Sequence, residues 1–561
     1  KVLFIVPRKS AREVVELSER TDLDPQSVVS YNSVALAIDS IYESLVTGTS
    51  ANEKARELSK KLDNHYDAVV LANVDMKALP IEAQYRILQQ VSDGAGLLLT
   101  YPRALANPKI LSVPNDDWKQ IVQMTDVAAL PGDAANLTAD KLIKTYRFGK
   151  GRIATLNYPV TSASVGGGLA LTAYADYSPD WKAHYENNMA LAARTVQWAA
   201  GRDISAVVIP AWPKEIHAAQ KVLLPLQVKN VTNGKVLLRL RDSWNSTQWK
   251  GSVAIQNGKA SAVQLPAMEA GAHFLDVRLE QNGAIQSFGV FHCDVTSPTG
   301  NITIITSKES YEHGQNVAGK VLLQHALDHD ANLQLRLEDL PSRKIWQEQT
   351  LAIKRGMKEI NFIFPNVKLA TVAGTVVAQI WQNGKPIIKN EQIAFFPRRH
   401  REIFPTLLWD TVPPYLTEMY AGQLIDNMHD PAGLTHPKGD GSMARLTALV
   451  NQRFVPYVTR IGLSAGDKGQ TLNNHWLSMT KEEVEKATAG DGSIYNPAVR
   501  ALWKENIARR INGVPRVGPM VYSLGDENNF SYDAGYSPAD TVEYRKFLQR
   551  SYGTIEKLNQ E

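Results

Sequence analysis

The sequence holds a single cysteine, Cys293, in 561 residues. One thiol excludes an intrachain disulfide framework and any metal site built from several cysteines. That usage fits a cytoplasm and a bacterial periplasm equally. Long apolar runs are also missing. None approaches the ~20 residues that cross a bilayer as a helix, so no membrane span is expected. Charge of one sign is not in excess: Lys and Arg number 61 against 57 Asp and Glu, a net of +4. No dense basic run stands out, and no nucleic-acid partner is expected. HExxH, CxxC and EF-hand spacings are absent. His429, Asp430, His436 and Asp440 lie near one another in sequence but lack zinc or calcium spacing. No metal and no cofactor is assigned.

What is present is an ordinary globular composition, 44% hydrophobic and 21% charged. The length predicts about three to five domains. The chain opens at Lys1, without Met, directly in an apolar run. This predicts a leader removed from a periplasmic or extracellular protein.

Residues 1–203 read as α/β. Val2–Val6, Tyr66–Ala72, Gly96–Thr100 and Gly149–Leu156 are near-continuous apolar strands. Ala11–Leu17, Ala35–Leu45, Ile81–Val91 and Glu186–Ala200 have helical spacing, with Gly201 as a stop. Strands of this kind predict a parallel sheet covered on both faces. Residues 204–297 and 298–398 change to short strands punctuated by turn signals, Val222–Val228 being one of the expected strands. Asn233-Gly234, Asn257-Gly258 and Asn282-Gly283 mark hairpins in the first of these. Two consecutive antiparallel β-sandwiches are expected, joined near Pro298-Thr299-Gly300. Trp244 and Trp249 suit a core, a domain interface or a sugar-stacking surface. Residues 399–561 return to α/β. Phe404–Asp410, Val455–Ile461 and Val517–Leu524 read as strands; Tyr415–Asn427, Met443–Asn451 and Pro497–Ile511 read as helices. The fold class expected is multidomain α/β plus all-β.

Val521-Tyr522-Ser523-Leu524-Gly525-Asp526-Glu527-Asn528-Asn529 is an apolar run ending in carboxylates. Buried acids at a strand mouth are costly unless hydrogen-bonded or used. A helical pattern opens at Ser537-Pro538-Ala539-Asp540 and closes in Tyr552-Gly553-Thr554-Ile555-Glu556-Lys557-Leu558-Asn559. Together these residues resemble the β-galactosidases of glycoside hydrolase family 42, closely over residues 521–561 and loosely from 399. That resemblance implies a retaining glycosidase on a (β/α)8 barrel, with Glu527 as general acid/base. The family has Asn where this chain has Asp526. An Asp accepts from a sugar hydroxyl but cannot donate, and its charge helps raise the pKa of Glu527. Residues 1–203 resemble a class I glutamine amidotransferase-like domain, flavodoxin-like in topology. The strand that would carry its nucleophilic Cys runs Leu99-Thr100-Tyr101-Pro102-Arg103, so a non-catalytic role is expected. Gly166-Gly167-Gly168 reads as a loop.

Retaining hydrolysis uses two carboxyls about 5–5.5 Å apart, one acid/base and one nucleophile. The acid must stay protonated near neutrality, which burial and a neighbouring charge promote. Asp526, Asn528, Trp409, Asp410, Arg460, His475 and Trp476 are the candidate substrate contacts. A full barrel takes about 250 residues. Residues 399–561 therefore suit the first half, and the rest is expected from a longer chain or a partner. The nucleophile has no counterpart and is not assigned. The expected ligand is a β-linked oligo- or polysaccharide, and the family suggests a homo-oligomer. The competing reading is a non-catalytic carbohydrate-binding or assembly protein with a degenerate barrel.

Overall fold

The computed structural model describes residues 1–7, 10–30, 51–101, 113–130, 137–159, 169–173, 181–340, 342–369, 371–396, 406–408, 425–427, 462–466, 469–472, 480–511, 522, 529–530 and 535–561. Among them the chain mixes an α/β region with several β-sheets. Lys1–Asn301 with Ile380–Lys389 form one compact unit, and Ile302–Gln379 with Asn390–Glu561 a second.

The first unit begins with a seven-stranded sheet. Its strands are β1 (Val2–Pro7), β2 (Pro25–Ser30), β3 (Ala68–Ala72), β4 (Gly96–Thr100), β5 (Pro114–Asn115), β6 (Ile143–Phe148) and β7 (Gly151–Leu156). The order is β2-β1-β3-β4-β7-β6-β5. β2, β1, β3, β4 and β7 run parallel, while β6 and β5 add an antiparallel edge. Alternation sorts the side chains. Phe4, Val70, Leu98 and Ala154 belong to one core layer; Leu3, Ile5, Val69, Leu71, Leu97 and Ile153 belong to another. Both layers are closed to water, so these strands tolerate no polar alternation.

Helices α1 (Ala11–Arg20), α2 (Ala51–Leu62), α3 (Ile81–Asp93) and α4 (Trp181–Ala199) cover the sheet. Val14 and Leu17 of α1 join the layer that contains α4; Leu58, Leu62, Ile87 and Val91 of α2 and α3 join the other. α4 starts five residues before the expected Glu186 and stops at Gly201, whose φ is +74°. It lies so close to β4 that a Cβ on Gly96 would collide with the Ala199 carbonyl. The expected helix at 35–45 and the Gly166–Gly168 loop lie outside the described residues.

The same unit continues as a five-stranded sheet, β13-β12-β11-β15-β16, with two-stranded sheets β10-β8 and β14-β9. These strands are β8 (Val207–Pro210), β9 (Val222–Leu224), β10 (Leu226–Lys229), β11 (Gly234–Asp242), β12 (Thr247–Gln256), β13 (Lys259–Ala260), β14 (Val263–Leu265), β15 (Gly271–Gln281) and β16 (Ala284–Val295). Val222–Val228 is two strands, not one. Pro225 has no N–H for a ladder, and the chain changes sheet there. Asn257-Gly258 and Asn282-Gly283 both take positive φ at both residues, as type I′ hairpins require. Asn233-Gly234 does not; Gly234 simply opens β11.

Residue 203 is not an edge of the core. Phe274, Phe288 and Val290 of β15 and β16 pack in the layer that contains α4. Two fully buried arginines fasten this seam. Arg194 donates to the carbonyls of Gln120, Ile121 and Ile204 and to Ser287 Oγ, at 2.7–3.2 Å. Burial pushes its guanidinium down to about 10. Arg241 grips Asp276 with two nitrogens at 2.6 and 2.9 Å and donates to the Ala183 carbonyl at 3.0 Å.

The second unit holds the sheets β17-β18-β21 and β20-β19-β22-β23. Its strands are β17 (Ile302–Thr306), β18 (Val317–Leu323), β19 (Ala331–Asp339), β20 (Ile345–Ile353), β21 (Glu359–Phe364), β22 (Ala373–Gln382) and β23 (Lys385–Phe395). Ile380–Lys389, the tip of the β22–β23 hairpin, clusters with the first unit. Beyond residue 399 the described strands are β24 (Thr406–Leu408), β25 (Ile425–Asn427), β26 (Gly462–Gly466), β27 (Gly469–Leu472) and β28 (Asn529–Phe530). β24 and β25 pair in parallel, so the end of the expected helix Tyr415–Asn427 is a strand. β26 pairs antiparallel with β27 and parallel with β28. Helices α5 (Lys481–Thr488), α6 (Pro497–Ile511), α7 (Pro538–Tyr552) and α8 (Ile555–Leu558) follow. Capping boxes open α5 at Thr480 and Glu483, and α7 at Ser537 and Asp540. Among the described residues no helix is long and apolar enough to cross a membrane.

Candidate functional site

Glu527, Asp526, Asn528, Trp409, Asp410, Arg460, His475 and Trp476 all lie outside the described residues, as do His429, Asp430, His436 and Asp440. Their described neighbours give a partial frame. Thr406–Leu408 precedes Trp409 as a strand, inside the expected Phe404–Asp410. Asn529, two residues past Glu527, pairs in register with Gly462, two residues past Arg460. The expected strand Val517–Leu524 is described only at Tyr522, which lies outside any strand and is 46% exposed.

The chain is well tied at the start of α7. Ser493 Oγ donates to Asp540 Oδ1 at 2.5 Å, and the Ala539 N–H donates to Asp491 Oδ2 at 3.0 Å. These bonds fix the start of α7 to the turn between α5 and α6. Gly553 ends α7 with φ +76°, and Thr554 accepts from the Lys557 N–H to start α8. So the Tyr-Gly-Thr-Ile sequence is a helix stop followed by a helix start.

A second constellation sits at the C-terminal edge of the parallel sheet, where open α/β sheets hold their ligands. β4 ends at Thr100, and Tyr101 takes φ +49°, a strained setting for an aromatic residue. Its ring packs on Tyr158 with centroids 5.1 Å apart, and its hydroxyl donates to the Thr172 carbonyl at 3.1 Å. Tyr101 thus ends the strand where the amidotransferase resemblance would require a Cys. The one thiol, Cys293, is buried in β16, and burial pushes it up to about 12.

Glu13 is the buried acid of this edge. Its carboxylate accepts from the N–H groups of Ala170, Leu171 and Thr172 and from Thr172 Oγ1, at 2.6–3.1 Å. Burial lifts it to about 7, against those four bonds. With both oxygens engaged by protein donors, Glu13 serves as a tie between α1 and residues 169–173. The Tyr158 hydroxyl is buried without a hydrogen-bond partner among the described residues, and burial drives its pKa upward, with the Glu13 charge adding to this. Sequence reasoning did not single out Glu13. An acid in the first turn of an amphipathic helix reads as an ordinary helix-start residue. Among the described residues no group of three His, Cys, Asp or Glu could hold a metal ion.

No family model matches the chain, and no curated protein does. Among solved structures it is similar to trypsin-activated alpha-2-macroglobulin from Escherichia coli, at 13% identity and a TM-score of 0.17. That match covers 34% of this chain and 16% of the other. It is also similar to a tetra-tandem repeat in the extending region of a large adhesion protein, at 12% identity and a TM-score of 0.17, covering 34% and 48%. The chain therefore spans less than two thirds of either, and likeness this slight carries no argument.

Proposed function

We propose that this chain belongs to a retaining β-glycosidase, similar to the β-galactosidases of glycoside hydrolase family 42, with Glu527 as general acid/base. The finer architecture of this reading is a flavodoxin-like, non-catalytic N-terminal domain, two β-sandwiches and the first half of a (β/α)8 barrel. The observation that carries it is the run from Asp526-Glu527-Asn528 into a capped helix that ends Tyr552-Gly553-Thr554-Ile555. The parallel β24–β25 and β26–β28 pairs are in keeping with a barrel segment. Asp526, Asn528, Trp409, Asp410, Arg460, His475 and Trp476 are the substrate contacts of the proposal. It places the protein in the periplasm or outside the cell, acting on a β-linked saccharide.

Hydrolysis of aryl β-glycosides by the natural protein and by Glu527→Ala tests this. Loss of a general acid/base costs roughly 10²–10⁴-fold, and azide should restore turnover of an activated substrate in the variant. Equal rates in both proteins would remove Glu527 from the mechanism. A protein inert toward every glycoside would favour the second reading, a non-catalytic carbohydrate-binding protein. Asp526 in place of Asn is the feature that speaks for that second reading.

A further inference from the structure

A cleft of about 210 Å³ lies wholly within the first unit, far along the chain from Glu527. Trp244, Asp242, Gln248, Glu269, His273 and Lys389 line it. Three elements build it. Asp242 and His273 are direct cross-strand neighbours at the ends of β11 and β15. The segment before β15 forms a wall. The β22–β23 hairpin tip closes one side, held by the Ala270 N–H donating to the Ile387 carbonyl at 2.8 Å.

The wall and the platform are fixed before any ligand arrives. Asp242 Oδ1 accepts from the N–H groups of Trp244 and Ser246 at 3.0 and 2.8 Å, and Oδ2 accepts from Gln248 Nε2 at 2.9 Å. The turn that carries the half-buried Trp244 is therefore rigid, and its aromatic ring costs little further ordering on binding. His273 is 4% exposed. Its Nε2 lies 2.9 Å from the Glu269 carbonyl, which can only accept, so Nε2 carries the proton. Burial lowers the imidazole pKa, which favours this neutral form. Nδ1 is then a buried acceptor with no hydrogen-bond partner among the described residues. A water, or a ligand hydroxyl that reaches it from the cleft, would satisfy it.

The chemistry selects among ligands. A phosphate would meet Asp242 and Glu269 with one lysine to offset them. A metal ion would meet Asp242 oxygens already engaged by three donors. A cation would meet that engaged carboxylate and the Lys389 ammonium. A neutral ring with one apolar C–H face and hydroxyls at its edge brings no charge to offset and needs no empty coordination site. Its apolar face suits an aromatic lining residue, and its hydroxyls can join the hydrogen-bonded polar groups of the rim, which already have partners in the protein. The volume falls below the roughly 300–1,000 Å³ of drug-sized sites, and suits one ring. The geometry points to a saccharide-binding subsite at Trp244, outside the barrel segment. This inference does not rest on the glycosidase reading.

The test uses the full chain carrying Glu527→Ala, so that hydrolysis cannot consume a probe. Methyl β-galactoside, methyl β-glucoside and methyl β-mannoside are titrated by calorimetry and by saturation-transfer NMR. At least one should bind saturably in the millimolar range. Trp244→Ala should weaken that binding about tenfold or more, and Trp244→Phe should retain part of it. Trp249→Ala is the control: Trp249 lies over Gly251 on β12 and does not line the cleft. Far-UV circular dichroism and the Trp244→Phe variant separate lost binding from lost folding. The inference fails if none of the three probes binds, or if binding is the same with Trp244→Ala.

Discussion

Glu13 and Asp276 are two carboxylates in one compact unit, 1% and 4% exposed, handled in opposite ways. Asp276 meets a cation, Arg241, in a two-nitrogen grip. Burial raises its carboxyl, and the Arg241 charge and hydrogen bonds oppose that. Glu13 meets four neutral donors and no cation among its hydrogen-bond partners. Neutral donors offset less of the desolvation than a counter-ion does, and burial leaves Glu13 near 7. The sheet edge thus keeps a charge that answers to pH near neutrality, while the seam keeps one tied to a fixed ion. Arg194 is an intermediate case, a buried cation bonded to carbonyls and a hydroxyl.

The largest expected effect tests the ion pair. Asp276→Ala strands the Arg241 charge and should lower stability by about 3–5 kcal/mol in urea denaturation. A loss under about 1 kcal/mol would show that the Ala183 carbonyl and Asn245 Oδ1, which accepts from Arg241 at 2.8 Å, suffice for the guanidinium. Next comes Glu13, with a pH sign. Its folded pKa, about 7, lies above the unfolded value of 4.5, so the folded state binds the proton more tightly. Its contribution is full below 4.5 and falls as pH rises to 7. The stability gap between the natural chain and Glu13→Gln should therefore shrink by about 3 kcal/mol across that window. A gap that stays flat with pH would mean the four donors fully offset burial, erasing the contrast with Asp276. The smallest effect is Arg194→Lys, which trades a planar fork for a point charge and should cost about 1–3 kcal/mol. A cost as large as that of Asp276→Ala would place neutral carbonyls on a par with a counter-ion.

Local pattern was enough for much of the first unit. The all-apolar strands at Val2, Ala68 and Gly96 need both faces covered, and that constraint is written in consecutive residues. Helix ends were readable wherever Gly or a capping box stood, as at Gly201 and Ser537. Pro225 was readable in principle, since a missing N–H cannot sit inside a ladder, yet the apolar residues around it outweighed that signal. The ties that define the buried chemistry were not legible. Glu13 meets its donors about 160 positions along the chain, and nothing in Ala11-Arg12-Glu13 announces residues 170–172. Arg194 and Arg241 look like surface residues until the elements they join are brought together. Trp244 was legible as a sugar-stacking candidate but not its setting, because His273 and the hairpin tip come from distant segments. In the glycosidase site, Glu527 and Asp526 rest on the family resemblance, while Asn528, Trp409, Asp410, Arg460, His475 and Trp476 rest on their side chains and their places beside Glu527, at strand ends or in a polar loop; all eight lie outside the described residues.

The first unit is discontinuous: it leaves at Asn301 and resumes at Ile380, 79 positions later by subtraction. On a ribosome adding about 5–20 residues per second, that interval is roughly 4–16 seconds. For that time Ala270 has no Ile387 carbonyl to pair with, and the Trp244 cleft lacks one side. A nascent chain paused before residue 387 would thus carry the α/β sheet and its seam, but an unfinished sugar cleft. The order of synthesis makes that cleft the last part of the first unit to be completed.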